Sequence, residues 1–330
     1  MKCLYVLTST EQDLYYEECY ISVVSLLRRN PEAEVYLLTD DRTAENLKGF
    51  RGKIKELVKE MMVVPFPEEM GMMQRSRMLK TTMRKHMMGD FLYIDCDTVI
   101  ADSLSDVKKC AGSILAVPDK HAMIQEHYTY MNMYMNAKVM GYSMGHGNCH
   151  FNSGVMYIRD TEQAQDFFSL WNKLYLETWK KGLAMDQLSL NEANERMGGL
   201  IKELDGVWNV QVNTGLRYVA EARIIHYLGY QPASRHNAYF NTLPFLLADE
   251  KMLREVRQQG DITEKVGEMI ERPKKAFRNS YILGDDCPAY SLLFSNHMRI
   301  LKYIYVRHRK MYLWAEKIYG KAFRRFFGRS

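Results

Sequence analysis

The sequence lacks several short motifs that would assign it to familiar protein classes. Its six cysteines, at positions 3, 19, 96, 110, 149 and 287, are scattered and include no Cys-x-x-Cys pair, which argues against a disulfide or zinc framework. No Gly-x-Gly-x-x-Gly follows the first apolar segment and no Gly-Lys-Ser/Thr loop occurs, so a dinucleotide fingerprint and a P-loop are both absent. We therefore expect thiols that act as small core residues in a reducing compartment.

Long apolar runs are also missing. The run CLYVL after Met1 and Lys2 is too short for the core of an export signal, and acidic residues follow it from Glu11 onward. No segment of about 18 uncharged apolar residues occurs, so the sequence predicts no membrane-spanning helix. We expect a cytoplasmic protein.

Charge is distributed unevenly along the 330 residues. The whole chain carries a net charge of +5, whereas residues 302–330 hold nine Lys or Arg and one acid. Eight aromatic residues alternate with those basic residues, as in a helix that lies at a membrane interface. We therefore predict that residues 302–330 bind an anionic membrane surface, and a basic helix packed on the body of the protein is the alternative. No nucleic-acid-binding module is recognisable, so no nucleic-acid partner is expected.

Alternating strands and helices organise the first half of the chain. Strands are predicted at 2–8 and 34–39, and helices at 14–29 and 43–60. This alternation is typical of right-handed βαβ units and a parallel sheet of the nucleotide-binding type. The predicted fold class is therefore α/β, with a Rossmann-like, mainly parallel sheet.

Two carboxylates follow the central strand in the stretch FLYIDCDTVI, residues 91–100. Asp95 and Asp97 are two residues apart, and on an extended segment their side chains would point the same way. Ligands of open α/β sheets bind outside the carboxyl ends of the strands, where carboxylates suit Mg²⁺ or Mn²⁺ bridging to phosphate. His226, at the end of the predicted strand 222–226, would be a third ligand of imidazole type.

A basic helix at residues 75–88 leads into the central strand. Arg77 and Lys80 lie three residues apart, on one face, from which they could reach a diphosphate near the aspartates. Arg84 and Lys85 are interpreted as part of a solvated face.

Residues 121–150 contain six methionines, four tyrosines and four histidines. The pattern fits either a packing layer or an adaptable loop beside the site. Its histidines, at positions 121, 127, 146 and 150, lack tight ligand spacing, so zinc is not expected.

Two further polar sites follow. Asn152, in a predicted polar turn before a strand, could present its amide to a ligand. Asp186 and Gln187 open a predicted helix, where a carboxylate could either cap the helix or act on a substrate.

Five motifs in this order resemble the family 8 glycosyltransferases: LYIDCDTVI, FNSGVMYI, MDQLSLN, WNVQ and IIHYLG. The resemblance extends over residues 2–230 and implies a glycosyltransferase A-type fold that binds a UDP-sugar through a divalent metal. It implies that the metal ligands are Asp95, Asp97 and His226. It also places other residues around the donor: Thr8 and Ser9 at the uracil and ribose, and Arg77, Asp119, Asn152, Asp186 and Gln187 at the donor sugar or the reacting carbon. Lys80 and Gly229 are also predicted to contact the donor.

The implied activity is retaining transfer of a hexose, glucose or galactose, to a cell-surface glycan or a lipid-linked saccharide. Two mechanisms remain open: double displacement with Asp186 or Gln187 as nucleophile, and front-side attack, which we favour. A glycogenin-like protein that glycosylates itself or another protein, and a non-catalytic binding protein on the same fold, are the alternatives. The family's phosphate-contacting lysine is replaced here by Pro232.

Two domains are expected: a catalytic nucleotide-sugar-binding domain at residues 1–245 and a helical extension at residues 246–330. The extension ends in the basic and aromatic residues 302–330, which would hold the protein at the inner face of the cell membrane.

Overall fold

A seven-stranded sheet with helices on both faces forms the body of the protein. The computed structural model describes residues 1–124, 130–143, 150–212, 215–229 and 250–277, and also 300, 303–304, 307–315 and 317–318. The strands are β1 (Lys2–Leu7), β2 (Glu34–Asp40), β3 (Glu60–Val64), β4 (Phe91–Ile94), β5 (Thr98–Ile100), β6 (Ile114–Pro118), β7 (Phe151–Ile158), β8 (Ile201–Glu203), β9 (Val210–Gln211) and β10 (Ile224–His226). The α-helices are α1 (Tyr15–Arg29), α2 (Asp41–Asn46), α3 (Ile54–Leu57), α4 (Met72–Thr82), α5 (Tyr130–Met140), α6 (Glu162–Lys180), α7 (Gln187–Arg196), α8 (Glu250–Gln259) and α9 (Glu264–Glu271).

The order of strands in the main sheet is β3-β2-β1-β4-β7-β6-β8. β1 pairs in parallel with both β2 and β4, whereas β7 is antiparallel to β4 and to β6. The chain first runs outward from β1 to β3 and then returns to β4 on the other side of β1. Ligands of open α/β sheets bind at such a reversal, so the carboxyl ends of β1 and β4 border the expected crevice. The predicted mixed, mainly parallel sheet is confirmed.

Alternation along the strands separates two hydrophobic cores. In β1, Cys3, Tyr5 and Leu7 pack into one core, and Leu4 and Val6 pack into the other, because successive side chains point to opposite faces. The first core includes α1, α8 and α9; the second includes α4, α6 and α7. The sheet is therefore buried on both sides, which explains the continuous apolar runs of its strands.

A second sheet of three short strands contains His226, one of the predicted site residues. Its order is β5-β10-β9, with β10 antiparallel to β5 and parallel to β9. β5 begins only four residues after β4 ends, so the stretch 91–100 is shared between two sheets.

Two predictions of local structure are wrong. The helix expected over 43–60 is broken into α2, a 3₁₀ turn at Gly49–Lys53 and α3, followed by the start of β3. Gly49 has φ +55°, a left-handed conformation that a continuous helix cannot contain. Arg84 does not lie on a solvated face: it is buried, with its guanidinium over the ring of Phe91 and 3.2 Å from Asp160.

The described residues 250–277 pack directly on α1. Met252, Leu253 and Val256 of α8, with Val266 and Ile270 of α9, belong to the same core as that helix. The predicted division of the chain at residue 245 stays a prediction.

Near the end of the chain, the described residues are mostly exposed. The exposed fraction is 63% for Tyr303, 52% for Met311 and 66% for Trp314, and Arg309 and Lys310 are also exposed. Backbone hydrogen bonds of helical spacing join His308 to Ile304 and Tyr312 to His308. Apolar and basic side chains are thus presented to solvent by one helical segment. A search of the described helices finds none with the length and apolarity needed to cross a bilayer.

Candidate active site

Two carboxylates and one imidazole converge where β4 ends and β5 begins. The turn between Ile94 and Thr98 carries Asp95 and Asp97, and His226, the last residue of β10, lies opposite Thr98. One ligand atom from each of the three side chains lies within 4.8 Å of the others. The predicted ligands are therefore brought together, although Asp95 and Asp97 lie in a turn and not on the extended segment from which the sequence argument started.

The backbone of Gly154 in β7 leaves room for this cluster. A Cβ atom at this position would lie 2.3 Å from Cε1 of His226 and 2.9 Å from Oδ2 of Asp95, closer than van der Waals contact allows. Two carboxylates and an imidazole form a donor set that suits Mn²⁺ and related divalent ions. The residues present therefore fit such an ion, and within the described ranges they form the one cluster of acidic, histidine or cysteine side chains with this geometry.

A buried lysine contacts one of these two carboxylates. Nζ of Lys80, from α4, lies 3.0 and 3.1 Å from the two oxygens of Asp95, and Lys80 is only 3% exposed. The hydroxyl of Tyr93 donates a short hydrogen bond to Asp95, and the ammonium lies 5.1 Å from the centre of that ring. Lys80 therefore lies beside Asp95, and its predicted contact with a diphosphate stays a prediction.

Asp97 and His226 form a close pair, with 3.1 Å between Oδ1 and Nε2. Burial tends to raise the pKa of Asp97, but His226 outweighs it and holds that pKa below its ordinary value. Burial tends to lower the pKa of His226, but the charges of Asp97 and Asp95 outweigh it and raise that pKa. Each residue therefore favours the charged form of the other.

A second buried carboxylate lies at the start of α7. Asp186 is 3% exposed; its Oδ1 lies 3.1 Å from Nε of Arg77, and its Oδ2 accepts a hydrogen bond of 3.2 Å from Ser153. Burial tends to raise the pKa of Asp186, but Arg77 and Lys80 hold it below its ordinary value. Its side chain makes no capping hydrogen bond to α7, so the capping interpretation finds no support.

Gln187, the first residue of α7, differs from its neighbour. Its Nε2 is buried and has no hydrogen-bond partner among the residues that the structure describes. An orphan amide donor of this kind is available to a ligand.

Asn152 lies inside strand β7, which pairs with β4 and β6, and not in the polar turn predicted from the sequence. Its Nδ2 donates to Oδ1 of Asp119 at 2.9 Å, and its Oδ1 accepts from the backbone N–H of Gly154 at 2.9 Å. Nδ2 of Asn209 donates to the same Oδ1, also at 2.9 Å. Asn209 in turn contacts Nδ1 of His226, so Asn152 and Asp119 are connected to the cluster of Asp95, Asp97 and His226.

The carboxyl end of β1 carries a separate polar network. Ser9 donates to Asp13 at 2.6 Å, its backbone N–H donates to Thr43 at 2.9 Å, and Arg51 donates to its hydroxyl. The hydroxyl of Thr8 and the Nε and Nη1 atoms of Arg51 are buried, and no hydrogen-bond partner for them is found in the described part of the chain. Polar groups at the predicted nucleoside end therefore remain available for bonding.

Gly229 closes the other side of the cluster. It has φ +84°, and the atom nearest to an added Cβ would be Oδ2 of Asp97, at 3.9 Å. A side chain there would be strained by the backbone conformation.

Several contacting residues were not found from the sequence. Tyr93 is two residues before Asp95, a spacing that would have placed both on one face, yet its apolar neighbours indicated only core packing. Asn209 stands inside the motif WNVQ without a predicted role. Arg51 carried no distinguishing signal.

The histidines of residues 121–150 do not form a metal site in the described residues. Nε2 of His121 accepts from the backbone N–H of Gln211 at 3.3 Å, and the carbonyl of His150 accepts from Asp119 at 2.6 Å. His127 and His146 lie outside the described residues.

Comparisons with known proteins bear on this site. Residues 6–232 match the sequence model of glycosyl transferase family 8. The galactosyltransferase LgtC, solved with donor and acceptor sugar analogues, is 14% identical, with a TM-score of 0.51 over 81% of this chain and 99% of that chain. The bifunctional glycosyltransferase WbbM is also 14% identical, with a TM-score of 0.51 over 70% of this chain and 46% of its own. At this identity the similarity shows the fold, that of the A-type glycosyltransferases. A search of curated proteins found no match.

Proposed function

Because this chain belongs to glycosyl transferase family 8, we propose that it moves a hexose, glucose or galactose, from a UDP-sugar to an acceptor hydroxyl with retention of configuration. The acceptor would be a cell-surface glycan or a lipid-linked saccharide. The observation that carries the proposal is the convergence of Asp95, Asp97 and His226 beside the buried cation of Lys80. An ion held by these three residues, Mn²⁺ or Mg²⁺, would act as a Lewis acid on the departing diphosphate.

The cationic side chains have distinct tasks in this proposal. Lys80 contacts Asp95 at the metal-ligand cluster, whereas Arg77 pairs with Asp186. The pKa of Arg77 is raised chiefly by the charge of Asp186 and to a smaller extent by the charge of Asp95. Arg77 is therefore close enough to interact with both carboxylates. Lys80 and Arg77 would therefore neutralise a diphosphate and orient Asp186 toward the sugar.

The environment of Asp186 supports front-side attack over double displacement. Arg77 contacts one of its oxygens and Ser153 hydrogen-bonds to the other. A carboxylate whose two oxygens are both engaged is a weak nucleophile, because its charge is already stabilised. Asp186 would instead stabilise positive charge at the reacting carbon, and the leaving phosphate oxygen would accept the proton of the acceptor hydroxyl. Gln187 would donate its orphan amide hydrogen to the donor sugar or acceptor.

The test is donor hydrolysis by purified protein across a panel of nucleotide sugars with Mn²⁺, for the wild type and Asp97→Asn. Loss of one carboxylate ligand should lower turnover roughly a thousandfold, or about 4 kcal/mol of barrier. Asp106→Asn is the control, since Asp106 lies on the surface and pairs with Lys109. Turnover that survives both chelation and Asp97→Asn would contradict the metal assignment. A transfer to tyrosine of the protein itself would favour the glycogenin-like alternative.

We also propose that residues 302–330 bring the enzyme to the inner face of the cell membrane. Exposed Trp314 and Met311 beside exposed Arg309 and Lys310 support this, because an interfacial helix needs apolar and basic side chains together. Each basic residue near an anionic leaflet contributes about 1 kcal/mol.

Sedimentation with phosphatidylglycerol vesicles tests the membrane proposal. Arg309→Gln with Lys310→Gln should weaken binding about tenfold or more at low salt, and Trp314→Ser should weaken it independently of salt. Lys251→Gln, an exposed charge on α8, is the control. If the full-length protein does not sediment with these vesicles at low salt, residues 302–330 do not bind an anionic membrane.

A further inference from the structure

A relay of buried amides connects the backbone of β7 to the imidazole of His226. It begins at the N–H of Gly154, passes through Asn152 and Asn209, and ends at Nδ1 of His226, with three contacts of 2.9 Å each. Asn209 is fully buried, and the exposed fractions of Asn152 and His226 are 6% and 1%. Water therefore cannot readily substitute for any of these partners.

The orientation of both amides follows from the first contact. A backbone N–H can only donate, so the Asn152 atom that faces Gly154 must be the oxygen, Oδ1. The Asn209 atom that faces this oxygen must then be the nitrogen, Nδ2, because two oxygens would repel. The remaining polar atom of Asn209, Oδ1, faces Nδ1 of His226 and can only accept.

We propose that Asn209 is a positioning residue that holds a hydrogen on Nδ1 of His226, so that Nε2 is the nitrogen that gives up its hydrogen, the one facing Asp97, to bind a divalent cation. This inference rests on the proposed metal site. Nε2 is the nitrogen that faces the acid pair, 3.1 Å from Oδ1 of Asp97. A wrong tautomer would place a hydrogen where the ion must bind, so Asn209 acts on the ion through His226 without contacting it.

The relay also determines what Asn152 can offer to a sugar. Its oxygen accepts from both Gly154 and Asn209, and its nitrogen donates to Asp119, which leaves one N–H. Asn152 is therefore a donor toward the substrate, and its orientation depends on the same amide that orients His226. The metal subsite and the sugar subsite share one polar scaffold.

Two variants separate the hydrogen bond that Asn209 accepts from His226 from the one that it donates to Asn152. Asn209→Leu removes the acceptor for the His226 N–H and should weaken Mn²⁺ binding by about 10- to 100-fold. Asn209→Asp keeps an acceptor at that place and should retain the affinity within about threefold, although it loses the donor to Asn152. Asn30→Leu is the matched control, since Asn30 is 2% exposed and bonds to the backbone of residue 104, away from the cluster. Free Mn²⁺ is measured by electron paramagnetic resonance.

The second measurement needs no metal. Histidine ¹⁵N shifts of the metal-free protein report which ring nitrogens of His226 carry a hydrogen, and the signal is identified by its loss in His226→Asn. We expect Nδ1 to carry a hydrogen in the wild type and in Asn209→Asp, beside the Nε2–H that faces Asp97, and to carry none in Asn209→Leu. A wild-type ring without a hydrogen on Nδ1 overturns the inference, as does Mn²⁺ binding by Asn209→Leu at wild-type strength. A wild type that shows Nδ1–H but binds no Mn²⁺ would leave the tautomer assignment in place and refute the metal site of the proposed function.

Discussion

Replacement of Arg257 by Met should destabilise the protein far more than its place on a helix near the surface indicates. Arg257, on α8, makes a two-pronged ion pair with Glu17 of α1, at 2.7 and 2.8 Å, and donates to the carbonyls of Glu11 and Asp13. Glu17 is fully buried, whereas the side chain of Arg257 is 26% exposed. The variant would leave a buried carboxylate without its ion-pair partner.

The magnitude follows from this asymmetry. Breaking a buried pair by removing one partner costs about 3–5 kcal/mol, and the partial exposure of Arg257 places the expected loss near the lower figure, about 3 kcal/mol. Arg254→Met on the same helix is the control, since Arg254 is half exposed and pairs with Glu250 one turn away. That variant should lose less than about 0.5 kcal/mol.

Urea unfolding of four proteins decides the question: the wild type, Arg257→Met, Glu17→Gln and the double variant. The double variant should be more stable than Arg257→Met, because it removes the uncompensated charge, and the coupling energy should exceed about 1 kcal/mol. A free energy of unfolding for Arg257→Met within 0.5 kcal/mol of the wild type would refute the reasoning. It would mean that water reaches Glu17 despite its burial.

Three further predictions concern the site and its surroundings. Gly154→Ala should abolish Mn²⁺ binding, because its Cβ would lie 2.3 Å from His226, whereas Gly71→Ala, with open space around it, should bind normally; equal binding in calorimetry would contradict this. At pH values below the raised pKa of His226, Mn²⁺ affinity should increase about tenfold for each unit by which the pH increases, because the ion must displace one proton from the imidazole. An affinity that does not change from pH 5.5 to 8 would refute this prediction. Burial lowers the pKa of His121 to about 4. Between pH 6.5 and pH 4 the unfolded chain therefore binds a proton at this residue that the folded chain does not bind. The stability that neutral His121 contributes is complete above pH 6.5 and is lost as the pH falls. The stability difference between the wild type and His121→Asn should therefore shrink by about 2 kcal/mol from pH 7 to pH 4.5 in urea unfolding, and a constant difference would contradict the shift.

The residues of the cluster could be predicted because their chemical types are rare at strand ends. Asp95 and Asp97 follow an apolar strand, and His226 ends another, so both patterns can be recognised from the sequence alone. The geometry behind them could not be predicted. The extended-segment argument placed both aspartates on one strand, whereas a turn between two sheets holds them.

Long-range partners explain most of what the sequence did not reveal. Asn209 reaches His226 because β9 and β10 pair in parallel, with Val210 opposite Ile225, and no local pattern encodes that register. Arg84 was interpreted as solvated because its neighbours are basic, yet carbonyls and Asp160 surround its guanidinium. Both outcomes depend on tertiary contacts that override local pattern.

The cluster is arranged so that the fold does not depend on a metal ion to hold two carboxylates together. Asp95 and Asp97 would repel each other if they faced one another unpaired, but Lys80 contacts both oxygens of Asp95 and His226 contacts Asp97. Each negative charge therefore has its own partner within the protein. At the proposed metal site a divalent ion would compete with Lys80 for Asp95 and with a proton for His226, so the site would favour a doubly charged ion that brings further ligands with it. A nucleoside diphosphate would supply such ligands, since phosphate oxygens suit Mg²⁺ or Mn²⁺ and can also accept hydrogen bonds from Lys80. The same pairs that stabilise the folded protein would thus favour joint binding of ion and donor over binding of either alone.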